Sequence, residues 1–155
     1  MHQKTQEIST SLQIVCFKIG NEEYGIDILQ VQEILKIPKI TKLPKSRAHI
    51  IGVMDLRGKV IPIIDLGKKF GIIADLASST RAIVVDIEGK QVGLAIDSVS
   101  HVVKVDSGDV EPPPPVVKGI SGKYIVGIAK LKSGFVVILD INQIFSAEEL
   151  VSMQS

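Results

Sequence analysis

Val15-Cys16-Phe17-Lys18-Ile19-Gly20-Asn21-Glu22-Glu23-Tyr24-Gly25-Ile26-Asp27-Ile28 returns about 68 positions later as Ile83-Val84-Val85-Asp86-Ile87-Glu88-Gly89-Lys90-Gln91-Val92-Gly93-Leu94-Ala95-Ile96. The correspondence continues, with Val31 on Val99 and Ile34-Leu35 on Val102-Val103. At a shift of about 75, Gly52-Val53 falls on Gly127-Ile128, Ile63-Ile64-Asp65-Leu66 on Ile138-Leu139-Asp140-Ile141, and Phe70 on Phe145. Such self-similarity means two copies of one supersecondary unit. The shifts differ by about seven residues, so the second copy has a longer internal connection, Val110-Glu111-Pro112-Pro113-Pro114-Pro115-Val116-Val117-Lys118-Gly119. Its four prolines require an extended, surface-exposed path, and a loop of this length in a compact domain is often a binding element.

Each copy reads as strands. Segments near 12–19, 23–28, 50–55, 60–65, 82–87, 91–96, 124–130 and 134–140 are rich in β-branched residues and bounded by Gly, Asn or Pro. Asn21-Glu22 and Glu88-Gly89 have the look of hairpin turns. Pro62, inside an apolar run, predicts an edge or a bulge. From Gly25 to Ile37 the apolar period changes from two to that of a helix, which a strand broken by a bulge explains. Only the C-terminus reads as helix, with Ser146 as cap, Glu148 or Glu149 in its first turn, and Leu150 and Met153 three apart. Units of about 60 to 70 residues are near the lower size limit for independent stability, so the two are expected to pack together. A groove at their seam is the natural docking place.

The composition agrees. Of 155 residues 45% are apolar, with no Trp, four Phe and two Tyr, so the core rests on Ile, Val and Leu, which favour strands. The net charge of +1, with no Lys/Arg run beyond two, argues against a nucleic-acid partner. Cys16 is the single cysteine, so no intramolecular disulfide can form, and a reducing compartment is the simpler expectation. Its apolar flanks predict a buried strand residue rather than a redox or catalytic one. The polar start, Met1-His2-Gln3-Lys4-Thr5-Gln6-Glu7, is neither a signal peptide nor a lipidation motif. No apolar stretch reaches the roughly 20 residues of a membrane span.

A search for chemistry finds no reaction class. His2, His49 and His101 are scattered, and with one cysteine they offer no closed set of zinc ligands, so neither metal nor cofactor is expected. Walker, GxGxxG and GxSxG patterns are missing, and Gly119-Ile120-Ser121-Gly122 lacks the spacing for phosphate binding. Asp65 and Asp140 hold equivalent repeat positions at strand ends. Turn chemistry, with the carboxylate bonding nearby backbone, is preferred over acid–base work for them and for Asp55, Asp86 and Asp97.

Two stretches carry a resemblance. Phe17-Lys18-Ile19-Gly20-Asn21-Glu22-Glu23-Tyr24-Gly25-Ile26-Asp27-Ile28-Leu29-Gln30-Val31-Gln32-Glu33-Ile34 and Ile51-Gly52-Val53-Met54-Asp55-Leu56-Arg57-Gly58-Lys59-Val60-Ile61-Pro62-Ile63-Ile64-Asp65-Leu66 resemble, in order and spacing, the paired FxLGxExYGIDIxxVxEI and GVxNLRGxxxPxxDL patterns of the CheW family. The resemblance implies an all-β fold of two intertwined, five-stranded SH3-like barrels with a short C-terminal helix. As a single CheW-like domain it would cover about 12–150. The first barrel is expected near 15–80, the second near 81–145 with the N-terminal strand contributing, and 1–8 and 152–155 as flexible termini.

The resemblance also implies a function: a non-enzymatic cytoplasmic adaptor of bacterial chemotaxis. Its partners would be the regulatory domain of the CheA histidine kinase and the cytoplasmic tip of methyl-accepting receptors, with membrane association through the receptor alone. Carried over by position, Val31, Glu33, Gly52, Arg57, Gly93 and Val102 are the expected receptor-binding residues. Val31, Glu33, Val116 and Val117 are the expected kinase-binding ones. Glu33 and Arg57 are expected to pair and orient this surface, while Gly52 and Gly93 have backbone geometry as their alternative role. Asp55 departs from the family's Asn, and Gly67 from a common Arg. A receiver-bearing CheV or the CheA kinase would carry further domains, and a stand-alone adaptor fits the chain better. A small-barrel nucleic-acid binder and an enzyme are the rivals from other classes.

Overall fold

The first copy of the repeat forms β1 (Ser11–Ile19), β2 (Glu22–Asp27), β3 (Val31–Lys36), β4 (Ile50–Leu56), β5 (Lys59–Asp65) and a short helix, α1 (Leu66–Lys69). The second forms β6 (Arg81–Ile87), β7 (Lys90–Ile96), β8 (Ser98–Asp106), β12 (Ile125–Leu131), β13 (Gly134–Leu139) and α2 (Ile141–Ile144). Between β8 and β12 lie the two-residue strands β9 (Val110–Glu111), β10 (Val116–Val117) and β11 (Ile120–Ser121), where the second copy has its longer connection. The structure is a computed structural model that describes residues 11–37, 40–41, 50–71, 81–117, 120–132 and 134–145. The helix expected from Ser146 through Met153 and the flexible termini lie outside these residues.

The strands form one sheet in the order β3-β6-β7-β5-β4 and another in the order β8-β1-β2-β13-β12-β9, with β10 and β11 paired apart. These are the two SH3-like barrels. They do not divide the chain near residue 80. Hairpin β1–β2 of the first copy joins β8, β12 and β13 of the second, while hairpin β6–β7 of the second joins β3, β4 and β5 of the first. The exchange is reciprocal, and the parallel pairs β2·β13 and β7·β5 correspond under the repeat. Its cause is local. A three-residue 3-10 turn, Ile28–Gln30, carries the chain from β2 to β3 and so from one sheet to the other, and Asp97 alone separates β7 from β8. Neither link leaves length for the hairpin to fold back beside its own copy. The Asp27 carboxylate accepts the Leu29 amide at 2.9 Å and holds the first turn.

The exchange explains the unbroken apolar runs. Ile14 to Phe17, Ala82 to Val85, Val92 to Ile96 and Val136 to Leu139 are buried throughout. One side of these strands, with their neighbours in the sheets, fills a barrel: Ile14, Cys16, Val105, Ala129, Val136 and Ile138 in the second, and Met54, Ile61, Ile63, Ala82, Val84 and Ala95 in the first. The other side meets between the barrels, where Phe17, Tyr24 and Val137 join Leu66, Ile83, Leu94, Ile141 and Phe145 in one shared core. Strands buried on both faces lose period-two alternation and read as continuous hydrophobic runs.

Pro62 proves to be neither an edge nor a bulge. β5 is an inner strand between β7 and β4. Pro62 lies opposite Val53, whose amide and carbonyl bond instead to Thr41, each at 2.9 Å, and the parallel ladder to β7 begins only at Ile63. The missing proline N–H therefore falls where no ladder bond is required. The bulge is in β4, between Ile50 and Gly52. The β1–β2 turn is set one residue earlier than expected, with Gly20 at φ 63°.

Candidate functional site

Glu33 and Arg57, 24 positions apart, are brought together on the first barrel. β3 is an edge strand whose register shifts between Val31 and Glu33, so Gln32 is the extra residue and Glu33 is re-aimed. Arg57 sits at the tip of the β4–β5 hairpin. Its φ of 52° and the 87° of Gly58 make this a type I′ turn, the connection that matches strand twist. The Asp55 carboxylate accepts the Gly58 amide at 2.9 Å. It thus supplies the acceptor an Asn amide oxygen would supply, and the departure from the family pattern leaves the turn intact. The hairpin β6–β7 repeats the device, with Glu88 at φ 51° and Asp86 accepting from Gly89 at 2.7 Å.

Arg57 donates Nη1 to Glu33 Oε1 at 3.0 Å and Nη2 to Oε2 at 2.5 Å, a two-pronged pairing. The hydrogen bond from Arg57, aided by its charge, holds the Glu33 carboxyl below the usual carboxylate range against a smaller opposing effect of burial. The same contact raises the Arg57 guanidinium. The guanidinium is exposed, so solvent screens the pair and it adds little to stability. Beside it, Gln91 donates to Gln32 at 2.6 Å and Gln32 to Asp86 at 3.4 Å, tying β3 to the β6–β7 hairpin.

The remaining expected residues separate into three settings. Val31 is half-buried against the shared core, as is Val117. Val102 and Val116 are exposed. Val102 lies on β8, the edge strand of the second barrel, and Val116 and Val117 form β10, paired with β11 beyond the exposed proline run. Gly52 and Gly93 are buried. A Cβ on Gly52, whose φ is 154°, would stand 2.5 Å from the Thr41 carbonyl oxygen, and one on Gly93 would stand 2.8 Å from Ile63 Cδ1. Without a Cβ, both positions allow this close approach. Gly67, the other departure, is buried in α1.

Of two exposed apolar features, one was left open by the sequence, where Val31, Ile34 and Val102 fit either a core or an exposed patch, and the other escaped it. Ile34 and Val102 hold the same repeat position, and both are exposed, at 39% and 48%, on the edge strands β3 and β8. Leu29, 89% exposed, borders a groove of about 330 Å³ lined by Ser11, Leu12, Gln13, Asp27, Ile28 and Lys104. The repeat alignment held the first signal, since it set Ile34 on Val102. No sequence signal marks Leu29, because its exposure depends on the 3-10 turn.

The aspartates do structural work. Asp65 caps α1 by accepting the Lys68 amide at 3.1 Å, and Asp97 accepts the Gly20 amide at 2.7 Å, joining the β7–β8 link to the β1–β2 turn. Asp140 caps α2 through its backbone carbonyl, which accepts from Gln143 and Ile144. Among the described residues no helix is long and apolar enough to cross a membrane.

Comparison with known proteins agrees with this architecture. The family model for the CheW-like domain matches residues 13–149. A chemotaxis protein CheW of Treponema pallidum is 36% identical over 143 residues, covering 89% of this chain and 84% of its own. One from Bacillus subtilis is 31% identical over 145 residues, covering 93% of each. The crystal structure of the scaffolding protein TtCheW from Thermoanaerobacter tengcongensis superimposes with a TM-score of 0.82 at 37% identity over 96% of both chains. With its exchanged hairpins, paired barrels and near full-length match, this chain belongs to the CheW-like family.

Proposed function

We propose that this protein is a non-enzymatic cytoplasmic adaptor that couples methyl-accepting chemotaxis receptors to the regulatory domain of the CheA histidine kinase and helps assemble receptor arrays. One observation supports it above the others. The repeat-equivalent edge strands β3 and β8 each expose an apolar side chain, Ile34 and Val102. Unpaired strand edges with exposed apolar residues are places where another chain docks. An adaptor needs two such surfaces, and the internal repeat supplies them in one small molecule. The Glu33–Arg57 pair orients the β3 side, where Val31 and Glu33 would meet both partners. Val102 would serve the receptor and Val116 with Val117 the kinase. Gly52 and Gly93 act from below by keeping the strands close.

The test is a binding titration against two purified partners, a CheA regulatory domain and a receptor signalling-tip fragment. Saturable binding to both is expected. Arg57→Ala should weaken both contacts, and Val102→Asp should weaken the receptor contact by roughly tenfold or more. Binding to neither partner by the folded protein would reject the reading.

A further inference from the structure

The three strands β1, β2 and β8 bring Cys16, Glu23 and His101 to one place at the rim of the second barrel's core. Cys16 and His101 stand directly opposite each other in the β1–β8 ladder, so their side chains share a face. In the β1–β2 ladder Cys16 faces Gly25, and Glu23 lies two residues along on that same face. The sulfur, one imidazole nitrogen and one carboxylate oxygen all lie within 4.8 Å of one another. From Cys16 to His101 the set runs outward from buried to exposed, with Glu23 between.

We propose that Cys16, Glu23 and His101 form a binding site for one zinc-type divalent cation, clamping β8 to the β1–β2 hairpin. The ligand chemistry selects the ion. A thiolate and an imidazole suit zinc and its neighbours, whereas calcium and magnesium take oxygen ligands. The distances are near what is required. An ion midway among three atoms 4.8 Å apart is at most about 2.8 Å from each, and zinc bonds are roughly 2.0–2.3 Å long, so each side chain need close by only about 0.5–0.8 Å. Protein ligands fill three positions, and the exposed side at His101 leaves a fourth for water.

A divalent ion stabilises the thiolate and is itself attracted by the carboxylate. As the metal–sulfur bond forms, the thiol proton leaves to solvent. Val102 follows His101 on β8, so a loaded site would stiffen an exposed residue of the docking surface.

Cobalt titration of the untagged, metal-free chain tests this directly. One cobalt ion per chain should produce thiolate-to-metal charge-transfer absorption, which zinc then abolishes by displacement. Cys16→Ser should remove the band. His101→Ala and Glu23→Gln, at less buried positions that spare the core, should each weaken binding by roughly tenfold or more while the far-ultraviolet dichroism stays native. No charge-transfer band at stoichiometric cobalt would overturn the proposal. So would a band of unchanged affinity in both His101→Ala and Glu23→Gln, which would mean a lone thiol.

Discussion

Glu33 shows how one exposed contact sets a residue's behaviour. Its carboxyl titrates below the ordinary range because Arg57 donates two hydrogen bonds to the charged form. A depressed carboxylate stabilises the folded pairing at pH values above its unfolded pKa, and that contribution disappears as pH falls through the lowered folded value. NMR titration of the Glu33 side chain should find a midpoint below that of a free glutamate, returning toward the ordinary value in Arg57→Ala. An unchanged midpoint in that variant would mean Arg57 is not the cause. Gly52 makes a second prediction at this scale. Its added Cβ would meet the Thr41 carbonyl oxygen at 2.5 Å and Ile40 Cγ2 at 2.6 Å. Gly52→Ala should cost about 2 kcal/mol or more in denaturant unfolding, with little loss if Thr41 can simply move away.

Among the elements, α1 is a single turn and owes its position to its ends. Asp65 is buried, and its side chain accepts the Lys68 amide while Phe70 closes the last turn. Asp65→Ala should destabilise the protein by about 1 kcal/mol, measured as a shift in the urea midpoint at constant slope. Asp140, its repeat partner, makes no side-chain cap bond, so Asp140→Ala should cost clearly less. Turn chemistry at Asp55, Asp65 and Asp86 was legible in the sequence, because an Asx three residues before a turn glycine or directly before a helix start has a defined acceptor geometry. The setting of Pro62 was not. Which side of a strand leaves its donors unused depends on the partner strands, and those are distant in sequence.

The whole molecule is cooperative because its hairpins are exchanged. Neither copy of the repeat can complete a barrel, since β1–β2 and β6–β7 each sit in the other copy's sheet. A chain cut in the segment between Gly71 and Arg81 should therefore give two halves that are unfolded alone by circular dichroism, with the intact protein unfolding in one transition. A folded, stable half would contradict the exchange. The shared core sets the reason: Phe17 and Tyr24 in one half, and Ile83 and Leu94 in the other, would face water.

By itself the sequence determined the two-copy plan, eight of the strands and the family motifs, but not the edge strands β3 and β8. Each of the features it determined depends on residue type at short or repeated spacing. Tertiary structure alone decided which hairpin enters which barrel, that Gly52 and Gly93 are buried, that Ile34 and Val102 are matching exposed points, and that Cys16 meets Glu23 and His101. The physical reason is the same throughout. An apolar strand residue fits a barrel interior, a shared core or an exposed edge equally well by pattern, and only pairing across long stretches of chain selects among them.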